Sequence, residues 1–134
     1  MPRDIQPVEP QTKYLTDWDP DGDTWVRIKP AGFNESQHRA ELLKNRSEAL
    51  EPDGTLRVDT ALNNRALWLE EIALTYAGSN LTVGGKPIFE KDTVPLPAFR
   101  QKIAEVNPPD ELIKEWVALV REVNPDWQYP FRGN

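Results

Sequence analysis

Asp17, Asp19, Asp21 and Gly22 stand in DWDPDGD at the alternate spacing that opens a calcium loop, where successive carboxylates converge on one cation. The second half of such a loop is missing. Its twelfth position, which needs a bidentate Glu, holds Ile28, and Pro20 interrupts the run, so these carboxylates read as turn formers. A second stretch, GSNLTVGGKPIF, carries a Gly-Gly-Lys of the kind that grips a phosphate. A phosphate loop needs a Gly where Asn80 stands and a magnesium-binding hydroxyl where Pro87 follows Lys86, and it must come after a strand rather than a helical run. Leu81, Val83, Ile88 and Phe89 flank Gly84 and Gly85, so a tight turn between two short extended pieces accounts for the glycines.

Proton chemistry has equally few candidates. His38 is the only histidine, lies on the polar side of a helical segment, and has no nucleophile motif in company. Glu70 with Glu71, and Asp110 with Glu111, are neighbours in sequence, and neighbours on a helix point about 100° apart instead of converging on a substrate. Both pairs read as surface charges, the second favourably placed near a helix N-terminus. With no cysteine there is no thiol catalysis, thiolate metal site or disulfide. The expectation is a protein that is not an enzyme, with no catalytic residues, no cofactor and no metal.

These residues must be positioned by one domain. The chain has 134 residues, of which 38% are hydrophobic, enough for a single core. Sixteen basic against 22 acidic side chains give a net charge of −6, which argues against nucleic acid and anionic membranes as partners. No run approaches the roughly 18 apolar residues of a membrane span, and MPRDIQPVEPQTK lacks a signal-peptide core, so a soluble, unsecreted protein is expected. Prolines crowd both ends, marking a flexible N-terminal arm over 1–13, a domain over 14–125 and an aromatic arm over 126–134.

Within the domain, YLTDWDPDGDTWVRIKP reads as a hairpin about Asp21-Gly22. Asn34 and Gln37 form a capping box for a helix thin in apolar residues, with Leu43 and Leu50 on one face, so it belongs at the periphery. A turn and a short extended piece at 56–58 follow. The next helix, 61–76, carries Leu62, Ala66, Leu69, Ala73 and Tyr76 along one stripe, extended by Trp68 and Ile72, and Gly78 fits its C-cap. Two later helices cover about 97–106 and 109–123. In the last, seven apolar residues from Leu112 to Val123 span an arc of about 160°, wider than the ~100° stripe of a surface helix. The fold class expected is α+β, a mainly helical single domain with a small β-hairpin or sheet.

Two groups of residues are candidates for binding a partner. Leu67 and Leu74 lie one heptad apart on a second side of the 61–76 helix, which is either central to the fold or shared with another chain. Trp127, Tyr129 and Phe131 alternate with polar residues or proline after the last helix, and either fold back over the core or dock on a sister subunit or client. A homo-oligomer is one form that such docking takes.

DTWVRIK, a polar helix, ALTYAGSNLTVGGKPIF and AEVNPPDELIKEWVALVREVNP follow in an order that resembles the tail assembly chaperones of long-tailed bacteriophages. Tyr76, Asn80, Leu81, Gly85, Lys86 and Pro87 match an aromatic-Asn-Leu and Gly-Lys-Pro pattern, and Asn107, Trp116, Asn124 and Pro125 match a late helix between Asn-Pro-like caps. The resemblance covers residues 24–125 and does not reach the two arms. It implies a non-enzymatic chaperone in the bacterial host cytoplasm that binds the tape measure protein and recruits tail tube protein. The alternative is a virion structural protein of the tail or head-tail connector.

Overall fold

The computed structural model describes residues 1–47 and 60–127 of the chain. Residues 56–58, Leu50, Tyr129 and Phe131 lie outside the described residues, as does the side chain of Leu62. Among the described residues the architecture is a single α+β domain, mainly helical, with one three-stranded and one two-stranded antiparallel sheet.

Strands β1 (Gln11–Tyr14) and β2 (Trp25–Ile28) pair from Gln11 opposite Ile28 to Tyr14 opposite Trp25. Ordered pairing thus starts three residues before the boundary at Tyr14 read from composition. Alternation in β2 sends Val26 and Ile28 into the core with no exposure, while the Arg27 guanidinium lies 4.9 Å from the Trp25 ring on the other face. The 15–24 connection turns at Gly22, whose φ of +74° suits glycine. Asp19 organises this turn by accepting hydrogen bonds from the Asp21 and Asp23 amides at 3.2 and 3.3 Å and from the Thr24 hydroxyl at 2.7 Å. Glu115 then fastens the loop by accepting the Asp17 and Trp18 amides, both at 2.9 Å.

Helix α1 (Phe33–Ser47) begins earlier than the Asn34 cap predicts. Glu35 reaches back to accept the Gly32 amide at 2.8 Å, and the Gly32 carbonyl accepts from Ser36, so the half-box uses Gly32 and Glu35, with Asn34 and Gln37 inside the helix. Helix α2 (Thr60–Thr75) runs directly into β3 (Tyr76–Ser79), the third strand of the first sheet. Gly78 is therefore a strand residue and not a helix cap. Its φ is +131°, and a Cβ there would lie 3.0 Å from the Asp92 carboxylate.

Strands β4 (Thr82–Val83) and β5 (Lys86–Pro87) form a second hairpin through Gly84 and Gly85, with φ of +59° and +81°, the pair of positive values a two-residue turn demands. Helix α3 (Leu96–Val106) follows Pro95 and closes on Asn107 in the left-handed conformation. Helix α4 (Asp110–Val123) has Asp110 and Glu111 in its first turn. Asn124 ends α4 with its amide and side chain both donating to the Val120 carbonyl, while its Oδ1 accepts the Ala31 amide at 2.7 Å.

Helix α2 is central, packed by α1, α3 and α4. The stripe drawn from sequence holds at Ala73, Tyr76 and its extension Ile72, is half-buried at Leu69 and Trp68, and fails at Ala66, which is exposed; Leu67, placed on a second side, is buried as well. The core centres on aromatic rings. Phe89 stacks on Phe99 at 4.8 Å and 18°, Tyr76 lies 5.3 Å from Phe99, and Trp116 meets Phe99 edge-on at 6.2 Å.

Candidate docking groove

The residues singled out for partner binding do not meet on one face. Leu67 is 3% exposed and is consumed by the domain's own packing, which removes it from any free surface. Leu74 is half-buried against the core and lines a shallow hollow with Lys29, Asp92 and Pro95. Trp127, in a single 3-10 turn (Pro125–Trp127), is 4% exposed. Its carbonyl accepts from Arg39 at 2.9 Å, and its ring lies 4.9 Å from the same guanidinium, so the start of the C-terminal arm is clamped against α1. For Trp127 the fold-back reading is the observed one.

Glu70 and Glu71 are the largest departure from the sequence reading, which placed them on the surface. Glu71 is fully buried and accepts from Arg39 at 2.6 Å and Arg121 at 3.0 Å. Glu70, 8% exposed, takes both Nε and Nη2 of Arg100 and lies 3.3 Å from His38 Nε2. The hydrogen bond to Glu70 raises the Arg100 pKa above its ordinary value. These carboxylates are saturated by guanidinium groups from three other helices and serve to dock α1, α3 and α4 on α2. Arg65 and Asp110 form a further pair at 2.6 Å; their mutual hydrogen bond raises the arginine and lowers the aspartate. Among the described residues no group of three His, Asp or Glu side chains is placed to hold a metal, and no helix is long and apolar enough to cross a membrane.

An open groove of about 670 Å³ lies between the β4–β5 hairpin, the 88–95 segment and one side of α3. Each wall has a local cause. The Gly84-Gly85 turn throws Lys86 and Pro87 outward, and the Ile88 amide returns to the Leu81 carbonyl at 2.9 Å, which closes the base of the hairpin. Phe89 is held half-buried by its stack on Phe99 and offers its remaining surface to the groove. Phe99 and Ile103 anchor α3 in the core, and Val106, one turn on, reaches the groove with Lys102 beside it. Lys86, Lys91 and Lys102 give the rim a positive sign, with Glu90 as the single acidic lining residue. None of these lysines makes a salt bridge among the described residues.

No family model, curated protein or solved structure matches this chain. The groove's lining all falls within residues 83–106, and it escaped the sequence reading because nothing local shows that Lys102 and Val106 of α3 turn toward the 83–95 segment. The available signal was the Phe99, Ile103, Val106 repeat, whose last member is only partly buried against the core and also lines the groove.

Proposed function

We propose that this chain is a non-enzymatic assembly chaperone of the long-tailed phage type, acting in the bacterial cytoplasm to bind the tape measure protein and bring tail tube subunits to it. The observation that carries this reading is the groove with an apolar floor and a lysine rim. Lys86 and Pro87, two members of the pattern that resembles those chaperones, form part of its wall. A long helical client exposes apolar faces before it is packaged. A groove of this kind accepts one such face while acidic residues beside it meet the lysines. The chain as a whole carries −6, which keeps a chaperone and its client dispersed.

The test is coexpression with a candidate tape measure protein, a very long helical open reading frame to be sought next to this one, followed by copurification. The intact chain is expected to hold that protein in solution. Val83→Asp with Lys102→Glu is expected to release it while the domain still melts cooperatively, because both side chains sit outside the buried core. A complex that survives both substitutions overturns the groove as the binding site. Recovery of the chain in finished particles identifies it instead as a structural component of the tail or connector.

A further inference from the structure

We propose that, without client, the groove is closed by residues 1–10 of a second copy of this chain. This rests on the groove being a protein-docking site, and it adds a regulator to that site. Residues 1–10 stand clear of the fold, and Met1, Ile5 and Val8 are 119%, 100% and 66% exposed. Pro2, Pro7 and Pro10 bias the arm to the polyproline II helix, which repeats every three residues. At that period Pro2, Ile5 and Val8 share one face, about 9 Å apart, while Asp4 and Glu9 lie off it. Such a stripe suits a groove walled by Phe89, Pro87 and Pro95, since extended proline-rich segments dock on aromatic and proline surfaces. Asp4 and Glu9 balance Arg3 and the N-terminal ammonium, so the arm is neutral overall, and its two carboxylates can meet a groove in which three lysines outnumber Glu90.

The topology favours a neighbour's arm. The arm is continuous with β1, one edge of the β1-β2-β3 sheet, whereas the segment lining the groove runs past the other edge, where Asp92 lies against Gly78 of β3. An arm docking on its own groove must cross the sheet, while an arm from a second copy approaches from outside. Two copies can exchange arms reciprocally, each covering the other's apolar floor, and a client enters by displacing the arm.

Three variants test this by sedimentation equilibrium and by mixing differently labelled chains. Deletion of residues 1–10 leaves β1 whole because pairing begins at Gln11. That deletion, Ile5→Asp with Val8→Asp, and Lys91→Glu with Lys102→Glu are each expected to weaken self-association by about tenfold or more. Mixing the Ile5→Asp/Val8→Asp chain with the Lys91→Glu/Lys102→Glu chain is expected to restore pairing, since one has an intact groove and the other an intact arm. Adding Asp4→Lys and Glu9→Lys to the lysine variant is expected to recover association within one chain type. Self-association unchanged by the deletion overturns the proposal. So does a monomeric intact chain whose truncated form binds a synthetic 1–10 peptide, because the arm then serves its own groove. If the truncated chain keeps its client but no form self-associates, the exchange fails and the chaperone reading stands. Loss of client by the Val83→Asp/Lys102→Glu chain together with normal self-association of that chain also overturns a shared site.

Discussion

Glu71→Ala removes the one carboxylate that two arginines share in the interior. Glu71 has no exposure, the Arg39 side chain is 7% exposed and the Arg121 side chain 24%. Breaking a buried pair from one side costs about 3–5 kcal/mol, because the remaining charge stays desolvated. Arg121 is partly exposed, whereas Arg39 is buried and also held by the Trp127 carbonyl and ring, so the middle of that range, about 4 kcal/mol, is the expected loss. An unfolding entropy near 2.1 cal/mol/K per residue gives about 280 cal/mol/K for 134 residues, and hence a fall in Tm of about 14 °C. Calorimetry at pH 7 measures it directly, and amide exchange should rise first in α1, which is joined to α2 through Arg39. Arg39→Leu with Glu71→Leu is expected to be less destabilised than Glu71→Ala, since replacing a buried pair by packed apolar side chains leaves no stranded charge between α1 and α2. A loss below about 1 kcal/mol for Glu71→Ala would refute the buried-network account.

Gly78→Ala is expected to cost about 1–3 kcal/mol through its φ of +131°, and adding Asp92→Ala should not recover it if the backbone conformation is the cause; urea melts of both variants decide this. Asp19 has its pKa lowered, first by the Thr24 hydroxyl, which outweighs the opposing desolvation, and further by the Asp21, Asp23 and Thr24 amides. Its stabilising effect is thus fully present above the unfolded value of about 3.9 and is lost as pH falls through the lower folded value, so the stability gap between wild type and Asp19→Asn should close in acid. Tyr76 is shifted upward by burial, against the Ser79 hydrogen bond at 3.0 Å. The unfolded chain then loses this proton first, so stability should fall as pH rises past about 10, and Tyr76→Phe should lack that component in urea midpoints taken across the alkaline range.

The elements governed by local rules were readable in the sequence. Gly84-Gly85 between apolar pairs named its hairpin, and the wide apolar arc of the last helix named a helix with several neighbours, borne out by burial of Leu112, Trp116, Val117 and Val120. What depended on distant partners was not. Glu71 looks like any helix-surface glutamate until Arg39 and Arg121, 32 and 50 positions away, are brought to it by the fold. The polar first helix is explained by the same pairs, since His38 and Arg39 dock it on Glu70 and Glu71 through polar contacts where apolar side chains are few. Gly78 was misread because a glycine after a helix usually caps it, and only the pairing of Tyr76 with Ile28 reveals that the chain has already entered a sheet. The groove was partly visible as Lys86 and Pro87, but its far wall, Lys102 and Val106, is contributed by α3.

Hydrogen–deuterium exchange of the chain with and without the proposed helical client tests the central claim most directly. Protection on binding should concentrate in residues 86–95 and at the C-terminal end of α3, around Lys102 and Val106, with the α1 and α4 amides little changed. Binding that leaves both of those segments exchanging as in the free chain would contradict the assignment of the groove as the client site.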